Sequence, residues 1–459
     1  MSDETVIEHE HEHAALPEGM SPGPDTMRSF RRVLVNTLVS NVTTSFLWFA
    51  LTFWAYLETR SVLATSIVGG SFMLLIAVLG PLFGSFVDHH RKRNVMLLSS
   101  LLTLVSYLVA VVVYVLAPRG ELTSFTSLWF WAFVAFVLFG SVVEGLRNIA
   151  LSTTVTLLVP VEERDRANGL VGTVAGIGFM ITSVFSGLAI GFLGMGWTLA
   201  ISVALTAVSV THLMWVRIPE REPKRDGPMV PYDVSAAIRV IRGVPGLFGL
   251  ILFATLNNLV GGVFMALMDP YGLTLFSVQV WGIVLGVTSV GFIIGGAWVA
   301  RFGLGSRPLR SLLLVNVVVA GVGMLFTVRE WQWLYVVGIL LYMCFIPIAE
   351  AAEQTVLQRV VPFASQGRVF GFASSLEAAA APITAFMIGP IAQNILIPYM
   401  ASDAGRTSWS WLLGNGTARG IALVFVLAGV VQLIVVGLAF GSRPYRLLSK
   451  SYAEAPAVL

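Results

Sequence analysis

Twelve long apolar segments dominate this 459-residue sequence and limit what it can fold into. A helix needs about 20 mostly apolar residues to cross the roughly 30 Å hydrocarbon core of a bilayer. Lipid offers the backbone no hydrogen-bond partner, so segments of this kind form helices. We therefore predict an all-α integral membrane protein with twelve transmembrane helices. The predicted spans are 33–57, 62–87, 95–117, 127–158, 168–194, 197–216, 247–270, 278–300, 310–328, 331–358, 368–395 and 415–440.

Lysine and arginine are concentrated in the connections on one side of this predicted bundle. Positively charged connections stay in the cytoplasm during membrane insertion, which favours a topology with both termini inside. In that topology Arg147 lies within a span, and the other basic residues are cytoplasmic except for a few outer arginines. These are Arg60, Arg119, Arg329, Arg406 and Arg419. We therefore predict a multi-pass protein of the cell (plasma) membrane with cytoplasmic termini.

The longest break between spans covers residues 217–246, where several prolines lie among charged side chains. Such composition is typical of a solvated linker. The break divides the chain into two six-helix halves, residues 31–216 and 247–441. We expect a disordered acidic and histidine-containing tail at 1–30 and a cytoplasmic tail at 442–459.

An internal repeat supports the division into halves. Residues 128–187 align without a gap with residues 330–389. Identical pairs include Trp129 with Trp331, Thr153 with Thr355, Pro160 with Pro362, Arg166 with Arg368 and Gly169 with Gly371. Two parallel repeats of this kind bind a substrate between them and rock around that site.

A compact motif ends the second predicted span and runs Gly84-Ser-Phe-Val-Asp88-His-His-Arg91-Lys92-Arg93. Glycine allows close helix approach, and Asp88 is placed to meet the positive N-terminal end of a neighbouring helix. We predict that Gly84, Asp88, Arg91, Lys92 and Arg93 form a cytoplasmic gate. The basic residues would pair with Glu162, Glu163 or Asp165. Alternatively, these basic residues serve only as topogenic charges.

This motif resembles the loop signature Gly-x-x-x-Asp-Arg-x-x-Arg-Arg of the major facilitator superfamily, with His89 at the position of the first arginine. The segments that follow Pro160 and Pro362 are similar to those of the branch that contains macrolide-efflux proteins and the enterobactin exporter. The resemblance extends over roughly residues 30–445. It implies a transporter in which this cytoplasmic gate closes the cytoplasmic side and Asp88 meets the eleventh helix.

Glu377 lies near the middle of the predicted span 368–395. Ionisable side chains inside spans are costly and mark functional pathways. We predict that Glu377 is the proton-coupling residue, which takes up and releases a proton as its access to solvent alternates. The alternative is a neutral, structural glutamate bonded to a neighbouring helix.

Four further charged residues form a predicted inner cluster. Glu144 and Arg147 share one face of the span 127–158. Glu350 and Glu353 occupy a similar depth in a later span, so they would complement Arg147 across the two halves as an inner gate. Two alternatives stay open: a purely structural pair of Glu144 with Arg147, and hydrated positions for the other two acids at the cytoplasmic edge.

Polar side chains in the first and seventh spans are candidates for contacting a substrate. They are Asn36, Ser40, Asn41, Thr44, Asn257 and Asn258, with Trp48 among nearby aromatic residues. First helices of the two halves line the cavity in the superfamily, so these groups would give an apolar pocket a few hydrogen-bonding positions. The competing interpretation is hydrogen bonding between helices.

The leading hypothesis is a secondary transporter that exports amphiphilic small molecules, such as drugs, macrolide-like compounds or siderophores, in exchange for protons. The alternatives are a transporter of a specific polar metabolite and a non-transporting receptor or assembly protein. No lysine follows a glycine, so a phosphate-cradling loop is absent, and we expect no enzyme activity, cofactor or metal. The expected partners are the substrate, protons and the bilayer, with no nucleic acid; we expect a monomer.

Overall fold

We analysed a computed structural model of the full chain. It describes residues 22–59, 62–118, 120–124, 126–221, 234–414, 416 and 418–455. The expected disordered tail falls largely at residues 1–21, outside this part of the chain. The first helix already begins at Pro24, so residues 24–30 extend the first span instead of belonging to a tail.

The first half of the chain forms six long helices. They are α1 (Pro24–Thr59), α2 (Val62–His89), α3 (Lys92–Leu116), α4 (Leu128–Leu158), α5 (Arg164–Leu188) and α6 (Gly194–Trp215). A short helix, α7 (Val234–Gly243), follows in the predicted linker. Its buried side chain Ile241 joins the apolar core, so this part of the linker is packed against the bundle and not freely solvated.

The second half repeats the pattern with some interruptions. Its helices are α8 (Leu247–Leu275), α9 (Val278–Thr288), α10 (Val290–Phe302), α11 (Pro308–Leu325), α12 (Gln332–Val360), α13 (Gln366–Ile391), α14 (Ile397–Ala401), α15 (Asp403–Leu413), α16 (Arg419–Gly441) and α17 (Arg443–Glu454). Helices α9 and α10 together form one span, interrupted at Ser289. Helix α17 occupies the predicted C-terminal tail and buries Leu448.

The predicted fold class is confirmed. All regular secondary structure in the described residues is helical. Eleven helices there are long and apolar enough to cross a membrane, and α5 occupies the position of the remaining predicted span. The twelve-helix count of the sequence prediction agrees with this arrangement.

The repeated segments fold alike. A single 3₁₀ turn precedes α5 at Val161–Glu163, and another precedes α13 at Phe363–Ser365. Both helices then run into a π-helical turn, at Ala189–Leu193 and at Ala392–Leu396. The sequence repeat is therefore also a repeat of local backbone structure.

The two halves meet at one end of the bundle and separate at the other. Helix α2 packs against α13, and α5 packs against α10. At the end that carries Asp88, which we call the Asp88 end, one buried apolar cluster joins both halves and includes Val87, Val155, Val299 and Val369. Towards the opposite end, each half has its own apolar cluster. The molecule is thus closed at the Asp88 end.

Candidate functional site

A cavity of about 510 Å³ lies between the two halves. Its lining is contributed by α1, α2, α4 and α5 of the first half and by α12 and α13 of the second. Polar residues of the lining include Asn41, Thr44, Ser45, Ser141, Glu144, Asn148, Ser152, Gln354 and Ser374. The aromatic residues are Trp48, Phe72, Phe83, Phe179 and Phe370. The cavity is therefore mainly apolar and aromatic, with scattered hydrogen-bonding groups.

Three of the predicted cavity residues on α1 do line it. Asn41, Thr44 and Trp48 all belong to the lining. Trp48 stacks on Phe72 of α2 with 4.3 Å between ring centroids. The rigid aromatic pair presents a flat apolar surface to the space between the halves.

Asn36 lies elsewhere, deep inside the first half. Its side chain is 0% exposed and donates to the backbone carbonyl of Ser209 at 2.7 Å. Its Oδ1 accepts a hydrogen bond from Arg147. The interhelical interpretation therefore applies to Asn36, and Ser40 behaves similarly because its hydroxyl donates to Glu144 at 3.2 Å.

Arg147 is neutralised within the first half. It is 0% exposed, and its Nε lies 3.5 Å from Glu144 Oε1. A further bond from Nη1 reaches Ser100 on α3 at 3.1 Å. Its ion pair is thus with Glu144, and the structure does not bring it together with Glu350 or Glu353 as an inner gate.

The two asparagines of α8 do not belong to the cavity lining. Asn257 Oδ1 accepts a hydrogen bond from Gln432 Nε2 at 2.5 Å, and Gln432 also donates to Asn316 at 3.0 Å. Asn258 donates to the carbonyl of Ala254 in its own helix at 3.1 Å. The bonds of Gln432 connect α8, α16 and α11. The interpretation as hydrogen bonding between helices therefore applies to Asn257.

Three predicted acids of the second half lie near one another, namely Glu350, Glu353 and Glu377. The carboxyl groups of Glu353 on α12 and Glu377 on α13 lie close enough to interact directly. Glu353 Oε1 is buried and has no hydrogen-bond partner within the described residues. Glu350 lies one turn before Glu353 and lines a smaller cavity of about 90 Å³. The structure therefore groups Glu377 with the two acids of α12.

Asp88 caps the start of α13. Its Oδ1 accepts from the backbone N–H of Gly367 at 2.6 Å. Its Oδ2 accepts from the backbone N–H of Arg368 at 2.9 Å and from Arg368 Nε at 3.0 Å. A carboxylate at a helix N-terminus satisfies free N–H groups and interacts favourably with the helix dipole. Asp88 of the first half thus binds the start of α13 in the second half.

Gly84 brings these two helices close enough for that contact. A Cβ added at Gly84 would lie 2.2 Å from the carbonyl oxygen of Gly367. One turn away, a Cβ at Gly371 would lie 2.3 Å from the carbonyl oxygen of Gly80. Backbone therefore packs against backbone here, and only glycine fits.

The ion pair and hydrogen bonds of Lys92 and Arg93 lie within their own half, and Lys92 Nζ also lies 5.2 Å from the centre of the Phe363 ring in the second half. Lys92 Nζ lies 3.4 Å from Glu220 Oε1, and Arg93 Nε donates to the carbonyl of Val216 at 2.8 Å. Arg91 is exposed and adds positive charge beside Glu220. The acidic partner of Lys92 is thus Glu220, in the segment that follows α6, and neither Lys92 nor Arg93 pairs with the predicted Glu162, Glu163 or Asp165. Burial raises the pKa of Glu220, and the charge of Lys92 opposes that rise.

Sequence reasoning missed a second set of contacts between the halves at the Asp88 end. Asn168 Nδ2 on α5 donates to Gln358 Oε1 on α12 at 2.9 Å. Asp165 Oδ2 accepts from the backbone N–H of Leu304 at 2.7 Å. The signal was the polar Gln358 near the end of an apolar helix, but its partner was not apparent from the sequence.

Comparisons with known proteins agree with this architecture. Macrolide efflux protein A of Streptococcus pyogenes is 23% identical over 421 residues, which cover 88% of this chain and 95% of the relative. The protein of the same name from Enterococcus faecalis is 24% identical over 338 residues, covering 70% of this chain and 98% of the relative.

Among solved structures, a bacterial homologue of the iron transporter ferroportin in an outward-facing state matches with a TM-score of 0.65. It is 16% identical, and the match covers 90% of this chain and 100% of that chain. This likeness establishes a shared fold. A sequence profile described as Major Facilitator Superfamily matches residues 33–385. Because that match covers most of the chain, this protein belongs to the major facilitator superfamily of membrane transporters.

Proposed function

We propose that this protein exports amphiphilic small molecules in exchange for protons, as a secondary transporter that works by alternating access. The observation that carries the proposal is the cavity between the halves, which is lined by both and closed at the Asp88 end. A site reached from only one side is what a rocking two-half transporter requires.

The lining supports an amphiphilic substrate. Trp48, Phe72, Phe83, Phe179 and Phe370 offer apolar side chains, and polar side chains are dispersed between them. Pockets of this composition hold apolar bodies and orient them through a small number of hydrogen bonds. Two of the relatives carry the name macrolide efflux protein, which fits export of a bulky, mostly apolar compound.

The distribution of charge supports the orientation. Arg91, Lys92 and Arg93 lie at the Asp88 end together with Arg217 and with Arg239 and Arg242 of α7, so the positive-inside rule assigns this end to the cytoplasm. The conformation described is then closed to the cytoplasm. In this proposal Asp88 and Gly84 form the cytoplasmic gate of a protein in the cell membrane, with both termini inside.

The acids of α12 and α13 support coupling to protons. Two ionised carboxylates beside each other repel. The neighbouring carboxyl groups of Glu353 and Glu377 therefore favour a state in which one of the two holds a proton. A proton held between helices that border the cavity is available for exchange when access alternates. We assign Glu377 as the carrier, with Glu353 as its partner.

Replacing Glu377 by glutamine should separate transport from the proton gradient. A glutamine cannot release a proton, so the Glu377→Gln protein should lose at least about tenfold in gradient-driven accumulation, a typical contribution of a proton-transfer group being 10²- to 10⁴-fold. The measurement is accumulation of a fluorescent amphiphile in energised inverted vesicles, with and without a protonophore.

Glu162→Gln is the matched control, because Glu162 is an exposed acid at the Asp88 end. It should transport like the parent protein, and the protonophore should abolish accumulation in both. Protonophore-insensitive accumulation by the parent would refute proton coupling. A parental rate in Glu377→Gln would exclude Glu377 as the carrier.

A further inference from the structure

Two pairs of residues lie at the floor of the cavity, one pair in each half, and they occupy equivalent positions in the internal repeat. Asn148 and Ser152 lie one turn apart on α4, and they align with Glu350 and Gln354 on α12. Asn148, Ser152 and Gln354 line the large cavity, while Ser152, Glu350 and Gln354 line the small one. Equivalent positions of the two halves thus face the same space, but only one of these positions carries a charge.

Glu350 is accessible from this space. The small cavity shares Ser152, Ala175 and Gln354 with the large cavity, so the two are adjacent. The side chain of Glu350 is exposed, although its helix is packed between other helices of the bundle. Because it lines the small cavity, its carboxylate is within reach of a molecule that enters between the halves.

The charge that faces the cavities is negative. The ionisable residues in their described lining are Glu144 and Glu350, with no lysine or arginine among them. Glu144 is neutralised by Arg147 at 3.5 Å. Glu350 forms no ion pair within the described part of the chain, and its charged neighbour is Glu377. One acid therefore remains uncompensated at the floor.

A hydrogen-bond acceptor at the floor also lacks a donor. The buried Oε1 of Gln354 has no hydrogen-bond partner within the described residues. Buried acceptors of this kind are normally satisfied, so the floor is suited to a ligand that brings positive charge or N–H donors.

Aromatic rings surround the other parts of the space. Trp48, stacked on Phe72, and Phe179 line this space, and the negative face of an aromatic ring attracts cations. An anion would meet both this negative face and the carboxylate of Glu350. The environment is therefore favourable for an apolar cation and unfavourable for an apolar anion of the same shape.

We infer that this site takes cationic amphiphiles, with Glu350 as the anchor for their positive charge. The inference rests on the proposed role of the cavity as a substrate site, but it is independent of proton coupling. It names a substrate class within that role and assigns Glu350 a function distinct from that of Glu377.

The test compares two ions of the same shape and opposite charge, tetraphenylphosphonium and tetraphenylborate. Binding of each is measured separately by equilibrium dialysis against the purified full-length protein in detergent, with protein-free micelles as the blank. We expect saturable binding of the cation and at least tenfold weaker binding of the anion. Glu350→Gln should weaken binding of the cation at least tenfold.

Two variants test whether a loss of binding reflects the missing charge and not a loss of the folded state. Glu350→Asp keeps the charge and should retain cation binding within a factor of about three of the parent. Glu162→Gln removes an exposed acid that lines neither cavity, and it should also stay within that range. Equal binding of both ions, or unchanged cation binding in Glu350→Gln, would overturn the inference.

The results also separate this inference from the proposed function. Cation binding that depends on Glu350, together with protonophore-insensitive transport, would leave the site assignment intact and remove proton coupling. Protonophore-sensitive transport without selective cation binding would support proton coupling and refute the assignment of Glu350 as a cation anchor.

Discussion

Replacing Gly84 by valine is expected to abolish transport. The valine Cβ would lie 2.2 Å from the carbonyl oxygen of Gly367, and neither backbone can yield without separating α2 from α13. Separation also breaks the bonds from Gly367 and Arg368 to Asp88. Overpacking costs about 1–3 kcal/mol, and 3 kcal/mol corresponds to roughly a 100-fold smaller population of the closed state.

Gly70→Val provides a matched control on the same helix. A Cβ at Gly70 meets no described atom within 4 Å, so this variant should transport at close to the parental rate. Both variants carry the same change in helix propensity. Efflux of a fluorescent amphiphile from cells and the amount of membrane-inserted protein are measured side by side. A Gly84→Val protein that inserts normally and transports at the parental rate would contradict the assigned role of this contact.

Replacing Arg147 by methionine is expected to destabilise the first half of the protein strongly. Arg147 is fully buried, pairs with Glu144 and binds side chains of Asn36 and Ser100. Removing one partner of a buried ion pair leaves an uncompensated charge and costs about 3–5 kcal/mol. The measurement is thermal unfolding of the purified protein in detergent, which should show a lower midpoint for Arg147→Met.

The double variant Arg147→Met with Glu144→Gln separates loss of charge balance from loss of packing. With both charges removed, no buried carboxylate is left unpaired, and much of the lost stability should return, because replacing a whole buried pair is often close to neutral. If Arg147→Met unfolds at the parental temperature, or if the second substitution brings no recovery, then the pair does not stabilise this half as described.

Hydropathy was sufficient to predict the membrane-spanning helices because crossing lipid requires long apolar segments. Hydropathy does not detect helices that are polar over part of their length. Helices α7, α15 and α17 are amphipathic or polar segments of this kind, and they lie in regions predicted as linker, connection and tail. Their positions depend on contacts with the bundle, as the burial of Ile241 and Leu448 illustrates.

The contact of Asp88 with a helix start could be predicted because Gly84 and Asp88 are close together in sequence and their chemistry is local. Gly84 and Asp88 lie one turn apart, and a carboxylate beside a helix start has a favoured role. The partners of Lys92 and Arg93 depend on where the chain emerges from α6, more than a hundred residues later. Spacing along one helix cannot reveal such partners.

The polar residues of α1 show the same limit within a single helix. Asn36, Ser40 and Thr44 share a stripe, yet Asn36 faces Arg147 and Thr44 faces the cavity. The period of a helix indicates which residues share a face, but the neighbours of that face change along its length. Glu350 was similarly hard to assign, because its place beside the cavities depends on how the two halves enclose a space.

Alternating access requires that the two halves rock around the cavity, so that one end closes as the other opens. It is tested by two spin-label distances in a protein whose Cys344 is replaced by alanine. The first pair, Glu163→Cys with Ala364→Cys, places exposed labels on opposite halves at the Asp88 end. The second pair, Thr123→Cys with Thr407→Cys, does so at the opposite end.

Introducing Gly84→Val should lengthen the first distance and shorten the second, because opening at the Asp88 end tilts the halves together at the other. Changes of opposite sign would support alternating access about a shared site. If both distances change in the same direction, or only the Asp88-end distance changes, the halves do not rock, and the account of this protein as an alternating-access transporter is wrong.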